Sequence, residues 1–240
     1  MKWIKENALA RFLKEKYTGV INKRVQNKYK NIPSFPFLVS FPRTGSHWLR
    51  MMMELYFEKP TLVRPFYYDK SDEFLCYHVH DIEQKLERDN VIYLYRKPSD
   101  VVYSQMIYHE EDLGNKIRVK YWATVYGLHL EKWLIKETFT KRKLIIKYEK
   151  LKNDLGNEFQ KIVNFYDYEF DAGRLDDIAQ KVSKEEVKRK TSHDKKVINR
   201  KDNYQQLKNR FLKSNSKLLT ESVLSVNSDL NRFFIFKSNE

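Results

Sequence analysis

The stretch FLVSFPRTGSHWLRMMMELYF, residues 37–57, decides the fold. Phe37 to Phe41 read as a strand that is apolar nearly throughout. Pro42, Arg43, Thr44 and Gly45 then make a tight turn. From about Ser46 the residues Trp48, Leu49, Met52, Met53, Leu55 and Tyr56 recur at helical spacing. A strand that turns sharply into a helix exposes backbone N–H groups at the helix N-terminus, and with the helix dipole these favour an anion. Gly45 lets the backbone approach a ligand closely, since it has no side chain. Arg43 adds a charge, and Thr44, Ser46 and His47 add hydrogen-bonding groups. An ordinary strand–helix turn that needed one glycine accounts for the same residues equally well.

Working outward, further strands are expected at 74–79, 91–95 and 143–148. Helical patterns follow them. A short helix is expected in DIEQKLERD with Asp81 as its cap, and another from Pro98 with Val101, Val102, Met106 and Ile107 on its apolar face. A long helix is expected over Lys120–Phe139, with shorter ones near 157–166, 174–182 and 183–190. Thr191 to Gln206 reads as a polar, basic loop, and a last helix is expected near Ser214. Strands that are apolar on both faces and alternate with helices predict an α/β fold with a central parallel sheet flanked by helices. Ligands bind at the carboxyl ends of such strands. Phe41–Gly45, His80, Arg96 and Tyr148–Glu149 all belong there.

The chain has 240 residues, which fits one domain over 1–240, with residues 1–30 as a basic amphipathic helical extension. Trp3, Ile4, Leu9, Phe12 and Leu13 form its apolar side. Packing on its own domain is the expected use, and contact with a membrane surface is the alternative. The net charge is +14, from 46 Lys+Arg against 32 Asp+Glu, and it draws anions. A nucleic acid, an acidic membrane or a polyanionic nucleotide would suit it, and so would a plain Lys-rich surface. No nucleic-acid motif is present and the basic residues are spread along the chain, so no nucleic-acid partner is expected. Cys76 is the single cysteine, which excludes an internal disulfide. No apolar run approaches the ~18 residues that span a bilayer, and the first residues do not read as a signal peptide. A cytoplasmic protein is expected, with no metal site.

The loop is not a Walker A motif, which needs G-x-x-x-x-G-K-[ST]. FPRTGSHWL is instead similar to the 5′-phosphosulfate-binding loop of the sulfotransferases that use 3′-phosphoadenosine 5′-phosphosulfate (PAPS), often written Tyr-Pro-Lys-Ser-Gly-Thr-Thr-Trp. Some branches carry Pro-Arg-Ser-Gly, which Arg43 matches. YRKPSDVVYSQMIYH resembles the 3′-phosphate motif of that family, where an Arg ends a strand and a Ser stands eight positions later. Arg96 and Ser104 keep that spacing. An Arg96–Asp100 ion pair and a small buried Ser104 are the plainer explanations. KLIIKYEKLKND resembles the strand ending beside the adenine, at Tyr148. RKDNYQQLKNRF resembles the Arg-Lys-Gly segment over the 3′-phosphate, with Arg200 and Lys201 matching and Asp202 replacing the glycine. Lys184 in VSKEEVK stands where an aromatic is usual, so Trp48 is the better adenine partner.

The resemblance spans most of residues 37–211. It implies the P-loop-like three-layer sulfotransferase architecture, PAPS as co-substrate leaving as adenosine 3′,5′-bisphosphate (PAP), and no metal. The cofactor-binding residues it implies are Arg43, Thr44, Gly45, Ser46, His47, Trp48, Arg96, Ser104, Tyr148, Arg200 and Lys201. Sulfuryl transfer needs a base for the acceptor hydroxyl and positive donors for the leaving phosphate. The resemblance puts His80 in the base position, with Arg43 and Ser104 as the other catalytic residues. His78 shares the side-chain parity of His80 on a strand, and Asp81 or Glu83 are fallback bases. Tyr67, Tyr68, His109, Trp122 and Tyr126 are candidates for an aromatic pocket that takes a glycan or small hydroxylated metabolite. A P-loop-type kinase and a non-enzymatic nucleic-acid-binding module are the competing readings.

Overall fold

The protein is described by a computed structural model covering residues 24–68, 71–192 and 203–234. Of the expected N-terminal extension, residues 24–30 are helical, while its apolar side from Trp3 to Leu13 lies outside these residues, as does the pair Arg200 and Lys201. Four strands form one parallel sheet in the order β2-β1-β3-β4. They are β1 (Phe37–Ser40), β2 (Tyr77–Val79), β3 (Asn90–Tyr95) and β4 (Arg142–Lys147). β1 pairs with β3 from Phe37↔Val91 to Ser40↔Leu94, and with β2 from Phe37↔Tyr77 to Val39↔Val79. The order places β1 at the centre, so the loop after it opens in the middle of the sheet edge.

Alternation along the strands divides the core into two layers. Phe37, Val39, Val91, Tyr93 and Tyr95 face α2 (Pro98–Tyr108) and α3 (Lys116–Leu130). Leu38, Ile92, Leu94 and Ile146 face the other way, onto α1 (Ser46–Phe57) and residues Phe159, Ile162 and Val163. Those three lie on α5 (Leu155–Phe165), which follows the short α4 (Tyr148–Asn153). α6 (Ala172–Lys181) and α7 (Lys184–Lys190) complete that layer, and α8 (Tyr204–Leu224) packs on α3. Burial on both faces is why β1 and β3 are apolar nearly throughout. No helix among the described residues is long and apolar enough to cross a membrane.

Four boundaries differ from expectation by three residues or more. β2 starts at Tyr77, three residues late. α3 starts at Lys116 because the Asn115 side chain accepts from the N–H groups of Ile117 and Arg118 and caps it there. It does not run to Phe139, since Glu131–Ile135 widens into a π turn. α8 begins at Tyr204, ten residues before the expected start.

The expected helix after Asp81 is absent. Asp81 and Gln84 have φ of 43° and 57°, in the left-handed region that breaks a helix. The Asp81 carboxylate does not cap. It accepts from Lys132 Nζ at 2.8 Å, from Trp133 Nε1 at 3.2 Å and from the Leu86 N–H at 2.9 Å. Lys132 also donates to the carbonyls of Gln84 and Leu86, at 2.8 Å each, so its three protons are all used. Both side chains are almost fully buried. Removing one partner of such a pair strands the other charge. Lys132→Met is therefore expected to lose about 3–5 kcal/mol in urea unfolding, and a loss under about 1 kcal/mol would contradict the pairing.

Candidate active site

The turn after β1 is left-handed at two positions. Arg43 and Gly45 have φ of 72° and 96°. A Cβ on Gly45 would lie 2.4 Å from Tyr148 Cε2, so the aromatic ring occupies the space a side chain would need. The Thr44 hydroxyl donates to the Phe41 carbonyl at 2.8 Å and is spent inside the turn. α1 then starts at Ser46 with no acidic residue in its first turn, which keeps its N-terminus attractive to an anion.

Arg96 leaves the end of β3 and lies over the Tyr148 ring, 4.6 Å from its centroid. Its Nη2 donates to Asp100 at 3.1 Å and its Nη1 to the Arg43 carbonyl at 3.4 Å. The ion pair expected as the plainer explanation is therefore present, and Lys208 reaches the other Asp100 oxygen at 2.5 Å. It does not exhaust the guanidinium, because the buried Nε has no partner among the described residues. Ser104 accepts a hydrogen bond from Arg43 Nε at 2.9 Å. The Arg43 guanidinium also lies 5.0 Å from the Tyr108 ring centroid. One hydrogen bond thus ties the turn to α2.

His80 follows β2, and its Nδ1 lies 2.7 Å from the Ser40 carbonyl. A carbonyl only accepts, so Nδ1 carries the proton and Nε2 presents its lone pair. Burial lowers the His80 pKa below the usual 6.5, against a smaller upward pull from the Ser40 carbonyl. His78 does not share this position. It is buried, with Nε2 3.1 Å from Ser40 Oγ and Nδ1 3.5 Å from Arg50 Nη1, and it does not line the cavity. His47 does line the cavity. Burial, with Arg50 nearby, pushes its pKa down to about 3, so it is a neutral hydrogen-bonding group. Of the fallback bases, Asp81 is held by Lys132, and Glu83 pairs with Lys85 in solvent.

Arg50 and Glu54, one turn apart on α1, shape the facing loop. Arg50 donates to Thr61 Oγ1 and to the carbonyls of Val63 and Arg64, at 2.9, 2.7 and 2.5 Å. Glu54 accepts from the N–H groups of Phe66 and Tyr67, both at 2.8 Å. This brings Arg64, with φ of 65°, to the cavity wall.

The groups enclose a cavity of about 960 Å³. Arg43, Arg64, Arg96, Lys152 and Lys184 line it, with no carboxylate among the described lining residues. That balance suits a ligand with several negative charges. Gly45, Ser46, His47, Trp48, Ser104 and Tyr148 line it as well, and so does His80. His109 and Trp122 line it too, stacked with centroids 5.0 Å apart. The other three aromatic candidates are elsewhere. Tyr126 is fully buried, and Tyr67 and Tyr68 line a separate hollow with Lys190.

Reading the sequence missed Tyr108, Gln105 and Arg64. The first two could have been found, since they lie four and one residues beyond Ser104 on the same helix. Arg64 had no signal, because its placement depends on hydrogen bonds from α1. No group of three or more His, Cys, Asp or Glu among the described residues could hold a metal ion.

Comparison with known proteins bears on the family and the fold. A family model described as a sulfotransferase domain matches residues 35–219. The crystal structure of mouse sulfotransferase SULT7A1 complexed with PAP has a similar fold, with a TM-score of 0.54 and 18% identity over 84% of this chain and 87% of that one. No curated protein matches the chain.

Proposed function

This chain belongs to the sulfotransferase domain family, and on that premise we propose that it transfers a sulfuryl group from PAPS to an acceptor hydroxyl with His80 as base. The observation that carries the reading is the Arg43–Ser104 bond at 2.9 Å, which joins the turn after β1 to the helix after Arg96. It supports a ligand with two separated phosphate ends, one at the N-terminus of α1 and one at Arg96. The residues present fit such a ligand. Gly45 lets the Tyr148 ring close on the turn, the Arg96 Nε is buried without a partner among the described residues, and no acid is among the described residues that line the cavity.

In this reading PAPS supplies the sulfuryl group, with a phosphate as the leaving group. His80 Nε2 takes the proton of the acceptor hydroxyl as its oxygen bonds to sulfur. The bond from sulfur to the bridging oxygen breaks, and Arg43 and the first N–H groups of α1 stabilise the charge left on the 5′-phosphate. Trp48 and Tyr148 border the adenine, and Arg96 holds the 3′-phosphate. Arg200 and Lys201 are proposed to close over that phosphate on the strength of the motif alone. His109 and Trp122 offer faces to a glycan ring or a small hydroxylated metabolite. A single domain over 1–240 and a cytoplasmic location belong to the same proposal, and rest on the sequence.

Thermal shift distinguishes this reading from a kinase. PAP is expected to raise the melting temperature, and at 100 times its Kd the gain is about 2.7 kcal/mol. ATP with Mg²⁺ is expected to give no comparable shift. The opposite pattern would sink the proposal.

A further inference from the structure

Tyr126 and His129 lie three residues apart on α3, and both are fully buried. Neither lines the cavity, yet each is bonded to the main chain of a residue that does. The Tyr126 hydroxyl accepts from the Arg96 N–H at 3.1 Å and donates to the Arg96 carbonyl at 2.8 Å. His129 Nε2 donates to the His80 carbonyl at 2.9 Å, and its Nδ1 accepts from the Tyr93 hydroxyl at 2.9 Å. A buried phenol and a buried imidazole cost desolvation that Phe and Leu would not, so their polar atoms are satisfied by specific partners. Here those partners include the backbone of Arg96 and of His80.

We propose that Tyr126 and His129 are positioning residues for sulfuryl transfer, Tyr126 fixing the main chain at Arg96 and His129 fixing it at His80. The donor site and the base then hang from one helix. That helix also presents Trp122 and Val125 to the cavity, so an acceptor resting on them meets a wall tied to the base. The inference rests on the roles proposed above for Arg96 and His80.

The two contacts have separable effects. Around His80 stand the Ser40 carbonyl from β1, His47 and Arg50 from α1, His78 from β2 and His129 from α3. None of these is acidic. His129 holds the His80 main chain, so its loss is expected to let the ring move into the cavity it lines, where weaker desolvation moves its pKa upward toward 6.5.

The experiment compares Tyr126→Phe, His129→Leu and His129→Gln. It measures PAP affinity by calorimetry, kcat with PAPS, and the His80 ring titration by NMR. Tyr126→Phe is expected to weaken PAP binding about tenfold and leave the His80 titration unchanged. His129→Leu is expected to leave PAP affinity unchanged, lower kcat at least about tenfold and move the His80 titration upward. His129→Gln keeps an amide donor and a carbonyl acceptor and is expected to restore most of kcat and the original titration. The proposal is overturned if both variants lower kcat and PAP affinity together, in step with lost thermal stability. It is also overturned if His129→Leu leaves the titration where it was. The titration and PAP affinity need no acceptor, so they judge the positioning role even if His80→Ala shows that the base has been misassigned.

Discussion

His80→Ala is expected to lower kcat by about 10²- to 10⁴-fold while PAP affinity is unchanged, since general-base catalysis contributes on that scale. The geometry behind this is the 2.7 Å contact to the Ser40 carbonyl, which occupies Nδ1 and leaves Nε2 as the acceptor. The same residue predicts the pH profile. The neutral ring is the active form, and burial lowers its pKa below 6.5. Activity therefore rises with pH through that lowered pKa, and the acid limb of kcat/KM lies below 6.5. In the alanine variant that limb disappears. Turnover near wild type in His80→Ala would remove His80 from the mechanism, and an unchanged acid limb would assign it to another group.

Arg43→Ala is the second large effect. Loss of one donor to developing charge costs about 10²- to 10³-fold in kcat. The guanidinium does two things here: it donates through Nε to Ser104, and it supplies positive charge beside the N-terminus of α1. Turnover is expected to fall much more than PAP affinity, because the backbone N–H groups of the turn remain. Arg43→Lys keeps the charge but loses the planar fork, so it is expected to fall between wild type and alanine. Single-turnover kinetics with saturating PAPS measure this directly. A variant with weakened PAP binding and normal kcat would show that Arg43 only holds the ligand.

Much of the fold was legible, for reasons that differ by element. β1 and β3 are buried on both faces, so they stand out as apolar runs, and the edge strand β4 shows through its Leu144, Ile145 and Ile146. α6 and α7 came out within two residues, and Asp171 and Ser183 cap their N-termini. The segment after β2 misled, because DIEQKLERD has helical composition while Lys132, some fifty positions away, captures the Asp81 carboxylate. Local propensity is weaker than a buried ion pair, so the tertiary contact prevails there.

The candidate site divides along the same line. The sequence by itself determined the strand–turn–helix unit, the need for a glycine at 45 and the spacing from Arg96 to Ser104. Each of these depends on backbone geometry within a few residues, which local pattern encodes. Only the tertiary structure separated the surroundings of His78 and His80, of which the family resemblance had already put His80 in the base position. Their equal parity put both on one side of the strand, but Arg50 fills the space beside His78 and leaves His80 at the cavity. It likewise moved Tyr126 from the pocket wall to a clamp on Arg96, and brought Arg64 to the cavity. Such assignments turn on which side chain occupies a given volume. That is settled by packing between elements distant in the chain, and no local periodicity records it.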